Sequence, residues 1–409
     1  MPDAPPEIAV QTFGCRLNIA ESEAMHALAR AAGLRDAVIV HSCAVTAEAE
    51  RQSRQAVRRW HRERPDAAII VAGCAATLRP EAFAHLPGVL RVLDNGEKLD
   101  PARWAPLGRP DAGRPLPAPT VRGPHTRGFV AVQQGCDHRC TFCVIPLARG
   151  PNRSMPAGQV VAETRRLAAT GCREVVLTGV DLTGWGGDLA GTPRLGDLVR
   201  AVLRQVPELP RLRLSSLDPA EIDEALWQAL AEEERLMPHL HLSVQAGDDL
   251  VLKQMRRRHG RTQVIEAASR ARTLRPDMAL GADLIAGFPT ESDEAFARTL
   301  DLVDEAGLDY LHVFPYSPRI GTPAARLRPL PGPVVAERAR RLRELAGHRL
   351  ARRLDRLIGT TAAVLIERDG TGHAECFARV RPVRPEAAGA LVRLRLARVE
   401  GNMLLGDAA

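Results

Sequence analysis

Apolar and polar positions follow two different periodicities in the first third of the chain. Short apolar, β-branched runs are separated by longer stretches with helical periodicity, and in chain order these five segments are residues 7–13, 21–32, 37–42, 47–63 and 67–73. Strands that alternate with helices indicate βαβ units and a parallel sheet. The pattern predicts an N-terminal α/β domain, a three-layer parallel-sheet domain, over residues 6–105.

A second alternating region begins at residue 128. Its strand-like runs are residues 128–134, 174–180, 211–216, 239–245, 278–285 and 310–315. Segments such as 156–169 and 291–306 carry apolar residues at helical spacing between them. Six β/α units are two short of a closed eight-stranded barrel, so the pattern predicts an open (β/α)6 partial barrel over residues 128–356. An open side would admit a large substrate.

The remaining segments have other compositions. Residues 106–127 are rich in proline and glycine, which is typical of a stiff linker. Short strand-like runs at 362–367, 375–380, 391–399 and 402–405 predict a small all-β domain over residues 357–409. Small all-β modules often bind RNA.

Length and composition limit the class of protein. The 409 residues suggest two or three domains. The N-terminus lacks the pattern of a signal peptide, and no apolar run approaches the roughly 18 residues of a membrane helix, so we expect a cytoplasmic protein with no membrane partner. The net charge of +7 permits a polyanionic partner. Because Lys98 and Lys253 are the only lysines, the abundant arginine is weak evidence for nucleic-acid binding.

Three cysteines share one short segment after the first strand of the second region. Cys136, Cys140 and Cys143 have the spacing x3 then x2. A four-iron cluster normally takes four thiolates, so three would leave one iron open to a further ligand. Zinc with His138 as a fourth ligand, or a disulfide with a spare thiol, are the alternatives. The spacing, with Phe142 before the last cysteine, resembles that of radical S-adenosylmethionine (SAM) enzymes.

Three other cysteines follow the three predicted strands of the N-terminal sheet. Cys15, Cys43 and Cys74 each lie at a strand's carboxyl end. The carboxyl ends of neighbouring parallel strands share one edge, where such sheets bind ligands. This placement predicts a second three-cysteine iron–sulfur site, whereas a buried core position is the alternative for each cysteine alone.

The predicted strand ends of the second region carry polar residues. In barrels of this kind the carboxyl ends form the working face. We therefore expect a SAM pocket there, although a turn or capping role is the alternative for any single residue. The candidate cofactor-binding residues are Phe142, Thr178, Asp181, Ser215, Gln245 and Asp283.

Motifs along nearly the whole chain resemble the methylthiotransferase family of radical SAM enzymes. They are TFGC at 12–15 with Asn18, SCAVT at 42–46, GC at 73–74, residues 134–146 with Arg149-Gly150, LTGV at 177–180, RLRLSS at 211–216, HLHL at 239–242 and GADLIAGFP at 281–289. Residues 311–323 most resemble the branch that acts on N6-threonylcarbamoyladenosine in tRNA. The branches that modify isopentenyladenosine or a ribosomal protein aspartate differ there. Asp181 departs from the family pattern, in which asparagine is expected.

The resemblance implies a catalytic role for all six cysteines. Cys136, Cys140 and Cys143 would hold a [4Fe–4S] cluster that binds SAM, and Cys15, Cys43 and Cys74 an auxiliary [4Fe–4S] cluster that carries sulfur. With two SAM per turnover, the hydrogen on C2 of the modified adenosine-37 is replaced by a methylthio group. The C-terminal module resembles a TRAM domain, and Cys172 and Cys376 are then incidental.

The partners implied are tRNA, a reducing electron donor such as a flavodoxin or ferredoxin, and a sulfur source. The enzyme itself is expected to be a monomer. An arginine-rich predicted helix at 337–356 supplies candidate RNA-binding residues, although a solvated face is the alternative: Arg340, Arg341, Arg352 and Arg353. Two alternatives of another class are an iron–sulfur RNA-binding sensor and a purely polar methyltransferase. A sensor needs no SAM-shaped pocket.

Overall fold

The computed structural model describes residues 8–107 and 126–409. These residues form two compact units. Unit 1 comprises residues 8–107 with Gln134–Pro151 and Ser317–Thr322, and unit 2 comprises residues 126–133, Asn152–Tyr316 and Pro323–Ala409. The linker predicted at 106–127 lies almost entirely outside the described residues.

Unit 1 is built on a four-stranded parallel sheet in the order β1-β2-β3-β4. The strands are β1 (Ile8–Thr12), β2 (Ala37–Ser42), β3 (Ala68–Gly73) and β4 (Val89–Leu93). The helices are α1 (Arg16–Ala31), α2 (Ala47–Glu63), α3 (Cys74–Leu78), α4 (Glu81–Ala84), α5 (Pro101–Trp104) and α6 (Ile145–Arg149), with a 3-10 turn at Ala105–Leu107. The three predicted strands are confirmed, and β4 was not predicted.

The sheet of unit 1 is covered on both faces. Val38 and Val40 share one apolar cluster with Val57 of α2, whereas Ile39 shares another with Met25 of α1. The alternate residues of β2 therefore pack against different helices, as expected for a parallel sheet buried on both sides. This arrangement confirms the predicted three layers.

Unit 2 contains six parallel strands in two sheets, β5-β8-β9 and β10-β11-β12. A parallel bridge between Leu217 and Leu242 connects the two sheets. The six strands are β5 (Arg127–Ala131), β8 (Glu174–Thr178), β9 (Arg211–Leu214), β10 (His239–Gln245), β11 (Ala279–Ala286) and β12 (Tyr310–Pro315). Two short strands, β6 (Gln133–Gln134) and β7 (Arg153–Ser154), lie outside these two sheets. The six parallel strands confirm the open partial barrel.

Helices follow the barrel strands of unit 2. They are α7 (Ala157–Ala169), α8 (Leu195–Gln205), α9 (Glu224–Glu232), α10 (Asp249–Gln254), α11 (Arg261–Leu274), α12 (Asp293–Glu305) and α13 (Gly332–Leu357), with 3-10 turns at Leu182–Gly184 and Pro323–Arg326. Leu240, Leu242, Leu280 and Leu284 share one core cluster with apolar residues of these helices. The alternate positions of β10 and β11 therefore lie on the opposite, inner face of the sheet. His241 and Asp283 are on that face.

The C-terminal part of unit 2 is a closed β-barrel in the order β13-β14-β15-β17-β16. Its strands are β13 (Thr361–Ile366), β14 (Gly372–His373), β15 (Arg379–Pro382), β16 (Leu391–Glu400) and β17 (Met403–Ala408). The prediction of a continuous strand at 375–380 was wrong, because a turn separates β14 from β15. Phe377 has a φ of +69° in this turn, and its ring stacks on His239 and His373 at centroid distances of 4.9 and 4.6 Å.

None of the helices within the described ranges could cross a membrane. The longest, α13, has 26 residues and carries arginine along its whole length.

Candidate active site

Cys15, Cys43 and Cys74 lie just beyond the carboxyl ends of β1, β2 and β3. Cys43 and Cys74 are each 4% exposed, whereas Cys15 is exposed. Burial, with smaller contributions from the neighbouring Cys15 and Cys74, raises the pKa of Cys43 to about 12. The structure therefore brings the three sulfur atoms together at one edge of the sheet, as the strand pattern predicted.

Two glycines allow the cysteines to approach at this edge. Gly14 has a φ of +96°, and a Cβ there would lie 2.7 Å from Cys43 Sγ. Gly73 has a φ of +99°, and a Cβ there would lie 2.4 Å from the carbonyl oxygen of Ser42. L-residues rarely adopt this backbone conformation. Each glycine directly precedes a cysteine, so the backbone turn and the ligand position are specified together.

Arg149, the last residue of α6, reaches this first triad. Its Nε donates to Cys74 Sγ at 3.2 Å. Its two Nη atoms donate to the two carboxylate oxygens of Glu21, each at 2.8 Å, and Nη2 also donates to Asn18 Oδ1 at 2.7 Å. All of these side chains are buried. Such a bidentate pair fixes the orientation of the guanidinium.

A buried polar network continues behind Arg149. Lys98 Nζ donates to Glu21 Oε2 at 2.6 Å and to Asn95 Oδ1 at 2.6 Å. Burial alone would raise the pKa of Glu21, but Lys98 and Arg149 hold it well below its ordinary value. Burial and Lys98 lower the pKa of His41, so His41 is neutral and its Nε2 accepts from Lys98 at 3.3 Å. One carboxylate is thus shared by two cations.

The first triad fits an iron–sulfur cluster by the chemistry of its donor set. Three thiols converge, and N–H groups point at the sulfur atoms of Cys74 and Cys43. Besides Arg149, Asn95 Nδ2 donates to Cys74 Sγ and the backbone N of Val45 donates to Cys43 Sγ, both at 3.5 Å. Hydrogen bonds to sulfur stabilise cluster-bound thiolates and tune the cluster's reduction potential. Thiolates buried in this way require a cationic partner, which iron provides.

The second triad lies on the loop between β6 and α6. Cys140 is buried, and Cys136 and Cys143 are half-buried. The backbone N of Cys136 donates to the carbonyl oxygen of Gly150, and that of Cys143 to the carbonyl oxygen of Cys140, both at 3.1 Å. These bonds close the loop on itself. Its three thiols fit the same kind of cluster, since they also supply one ligand fewer than four irons require.

Gly135 is the residue that allows this closure. Its φ is +69°, and a Cβ there would lie 1.7 Å from the carbonyl oxygen of Pro151. Because no side chain can fit, glycine is required where the loop begins.

Three of the predicted cofactor-binding residues of unit 2 lie at strand ends, and a fourth, Asp181, lies three positions after the end of β8. Thr178 ends β8, Gln245 ends β10 with a φ of +74°, and Ser215 directly follows β9. The Ser215 hydroxyl accepts from the backbone N of Gly179 at 3.4 Å, and the backbone N of Asp181 donates to Gln133 Oε1 at 2.9 Å. The structure thus fixes polar backbone and hydroxyl groups at this end. The sixth candidate, Phe142, lies half-buried in the second cysteine loop.

Asp283 is different, because it lies within β11 rather than at its end. Its Oδ1 accepts from His241 Nε2 at 2.9 Å and from His312 Nδ1 at 3.1 Å. Burial alone would raise the pKa of Asp283, but the two imidazoles lower it well below its ordinary value. The carboxylate is therefore ionised and already engaged by protein groups.

Comparison with known proteins identifies the family. Residues 130–303 match the radical SAM superfamily, and residues 7–93 match the uncharacterized protein family UPF0004. The threonylcarbamoyladenosine tRNA methylthiotransferase MtaB of Rickettsia prowazekii is 44% identical over 96% of this chain and 95% of that protein. The chain belongs to the radical SAM methylthiotransferase family.

Two further matches have lower identity. A tRNA-2-methylthio-N(6)-dimethylallyladenosine synthase of Sorangium cellulosum is 35% identical, covering 88% of this chain and 82% of that protein. Among solved structures, the radical SAM methyltransferase TsrM of Kitasatospora setae matches with a TM-score of 0.52 at 17% identity, covering 71% of this chain and 64% of that one. At this identity the match supports the fold alone.

Membership of the methylthiotransferase family indicates which cofactors the chain uses. Radical SAM proteins bind SAM and a [4Fe–4S] cluster, and Cys136, Cys140 and Cys143 fall within the radical SAM match. Family membership also makes the chain an enzyme, which removes the alternative of an RNA-binding sensor.

The arginines predicted to contact RNA have unequal surroundings in this methylthiotransferase. Arg353 is buried, and its Nη2 donates to the carbonyl oxygen of Asp277 at 2.7 Å, which argues against a phosphate contact. Arg340 is exposed but paired with Glu337 and Glu344. Arg352 is exposed, as is Arg341, whose guanidinium lies over the Phe296 ring at 5.1 Å.

Sequence reasoning missed most of the network around the first triad. Glu21 lies far in sequence from Asn95 and Lys98, and the three residues belong to no spacing pattern. The available signal was the rarity of lysine: Lys98 is one of two lysines in the chain and is fully buried. A lysine in a chain that otherwise uses arginine indicates a position where arginine does not fit.

Proposed function

We propose that this enzyme replaces the C2 hydrogen of N6-threonylcarbamoyladenosine-37 in tRNA with a methylthio group, using two SAM per turnover. The observation that carries the proposal is the 44% identity to a threonylcarbamoyladenosine tRNA methylthiotransferase over nearly the full length of both chains. The presence of two separate cysteine triads in unit 1 supports it, because the reaction needs both an activated carbon and a sulfur donor.

In this proposal Cys136, Cys140 and Cys143 hold the cluster that binds SAM. A [4Fe–4S] cluster with one open iron supplies the electron that cleaves SAM reductively and so makes abstraction of an inert ring hydrogen possible. The chain's own contribution is geometric. The loop that begins at Gly135 carries the three cysteines within eight residues and is closed by its own backbone hydrogen bonds. In unit 2, the backbone N of Asp181 donates to Gln133 Oε1. This bond does not depend on the side chain of Asp181, so it tolerates aspartate in place of the expected asparagine.

In this proposal the first triad supplies the sulfur. Cys15, Cys43 and Cys74 would hold the auxiliary [4Fe–4S] cluster, where the sulfur of the methylthio group is stored. N–H donors from Arg149 and Asn95 to Cys74, and from the backbone of Val45 to Cys43, would stabilise the thiolates there. Methylation of that sulfur by a second SAM is an ordinary polar transfer and needs no further acid or base from the protein.

The tRNA contacts in this proposal involve exposed arginines of unit 2. Arg341 and Arg352 of α13 remain candidates. The C-terminal barrel adds Arg393 and Arg395, which are exposed on β16 and alternate with the buried Leu394 and Leu396. Guanidinium groups on one face of a strand suit a phosphate backbone. Binding that depends on such contacts weakens as salt rises.

The remaining participants follow from the reaction. One-electron chemistry requires a reducing donor such as a flavodoxin or ferredoxin, and repeated turnover requires a sulfur source. The enzyme would act where tRNA is found, in the cytoplasm, as a monomer.

A second candidate substrate is dimethylallyladenosine-37 of tRNA, favoured by the relative at 35% identity. Nucleoside mass spectrometry of tRNA from a strain that lacks the gene separates the two. Loss of the methylthio form of threonylcarbamoyladenosine, restored by the gene, is the expected result. Loss of the methylthio form of dimethylallyladenosine instead would assign the second substrate.

A further inference from the structure

Arg149 links the segment that carries the second triad to a cysteine of the first triad. It lies six positions after Cys143 and its Nε donates to Cys74 Sγ at 3.2 Å. Asn95 makes a second such link, since its Nδ2 donates both to Cys74 Sγ and to the carbonyl oxygen of Ala148 at 2.8 Å. The end of α6 is thus joined to one ligand of the first triad by two donors.

The guanidinium of Arg149 is fully used. An arginine has five N–H groups. Nε donates to Cys74, Nη1 to Glu21 and to Gln134 Oε1 at 3.2 Å, and Nη2 to Glu21 and Asn18. A guanidinium held by five bonds cannot rotate away from the sulfur. The Nε–H direction is therefore set by the surrounding protein and not by chance contact with a thiol.

The charges around Arg149 are unequal. Glu21 brings one negative charge, whereas Arg149 and Lys98 bring two positive ones, and the neutral His41 adds none. A purely structural ion pair would need only one cation for this buried carboxylate. The excess positive charge lies beside Cys74, which indicates that the site is built to face an anionic group.

We propose that Arg149 is a positioning residue for the auxiliary cluster, fixing Cys74 and raising the cluster's reduction potential through its charge and its N–H to the sulfur. The inference rests on the proposed function in one respect, namely that a cluster occupies the first triad. A positive charge and N–H···S bonds favour the reduced, more negative state of a cluster. Removing them lowers the potential, and removing Glu21 raises it.

The test uses the full chain with Cys136, Cys140 and Cys143 all replaced by alanine, so that only the first triad can hold a cluster. The midpoint potential is measured by redox titration followed by electron paramagnetic resonance, with iron and sulfide content determined in parallel. The variants are Arg149→Gln and Glu21→Gln, and the matched control is Arg91→Gln, an exposed arginine on β4 of the same unit. We expect a lower potential for Arg149→Gln, a higher one for Glu21→Gln and no change for the control.

Opposite shifts distinguish positioning from general loosening, which would move both variants the same way. An unchanged potential in Arg149→Gln at full iron content, or shifts in the same direction, would overturn the inference. Should Arg149→Gln lose its iron, Glu21→Gln decides alone: a raised potential supports the inference and an unchanged one removes it.

In the otherwise unaltered enzyme, Arg149→Gln is expected to lower methylthio formation by about 10- to 100-fold while 5′-deoxyadenosine formation continues. The potentials require no tRNA, so the two proposals fail separately. If the strain lacking the gene keeps every methylthio nucleoside, the proposed substrate fails and the measured potentials still judge Arg149.

Discussion

The two cysteine triads of unit 1 are assembled in different ways. Cys136, Cys140 and Cys143 come from one loop closed by its own backbone hydrogen bonds. Cys15, Cys43 and Cys74 come from three strand ends and lie beside three buried charged residues, Glu21, Lys98 and Arg149. A local site depends on spacing and one glycine, whereas an assembled site depends on the sheet, two glycines and an ion-pair network. We therefore expect the two sites to fail under different perturbations.

The largest effect is expected from the local triad. Cys140→Ala removes one of the three proposed ligands of the SAM-binding cluster and should abolish both 5′-deoxyadenosine and the methylthio nucleoside, because no radical would form. Both products are measured by liquid chromatography in one reaction. Cys172→Ala, a half-buried cysteine of unit 2 outside both triads, is the control and should keep both. Methylthio product in the Cys140→Ala variant would contradict the proposal that radical formation depends on the second triad.

Gly73→Ala should damage only the assembled triad. The substitution places a Cβ 2.4 Å from the Ser42 carbonyl and forces alanine into a positive φ, which costs about 1–3 kcal/mol for the backbone alone. We expect about half of the bound iron to be lost and methylthio formation to stop, with SAM cleavage retained. Gly171→Ala, which has a φ of +87° but nothing within 4 Å, controls for backbone strain. Iron loss from both variants alike would contradict this prediction.

Acid should weaken the assembled site through Glu21. The folded-state pKa of Glu21 is below its ordinary value of 4.5, so its contribution to stability is present above that pH and is lost as the pH falls below it. The urea midpoint of the iron-free chain should fall more between pH 7 and pH 3.5 than that of Glu21→Gln. Glu21→Gln should itself be less stable at pH 7, by about 3–5 kcal/mol, because Lys98 loses its partner. The exposed Glu81→Gln should follow the wild type, and equal pH dependence in all three chains would refute the role of Glu21.

The smallest effect is expected in the C-terminal barrel of unit 2. Arg395→Gln on β16 should raise the KM for tRNA by about threefold to tenfold, as expected for the loss of one phosphate contact, and leave iron content and tRNA-independent SAM cleavage unchanged. A filter-binding titration over a range of salt concentrations measures the change in slope. A loss of iron in this variant would mean that the C-terminal barrel supports the clusters.

The sequence was sufficient where residues close together act together. The spacing of Cys136, Cys140 and Cys143 is visible directly, and the alternation of strands and helices gave β2, β10, β12 and α2 with their observed ends. The strand ends also predicted the meeting of Cys15, Cys43 and Cys74, because parallel strands leave no other common edge.

Where buried polar residues interrupt an apolar pattern, the sequence was insufficient. Helix α1 begins at Arg16, five residues before the predicted start. Its first two turns bury the polar residues Asn18, Glu21 and Ser22, so the apolar pattern there does not show which face is buried. The same residues form the network of the first triad. Asp283 was expected at a strand end but lies inside β11, where His241 and His312 bind it across the sheet. Which side chains meet across a sheet depends on the register between its strands, and the sequence of one strand does not show that register.

The division of labour between the triads is tested most directly by one variant that carries Cys15→Ala, Cys43→Ala and Cys74→Ala together. Iron content, 5′-deoxyadenosine and methylthio nucleoside are measured on the same reconstituted sample. The account predicts a fall from about eight to about four irons per chain, continued SAM cleavage and no methylthio product. Methylthio formation at the wild-type rate would contradict it.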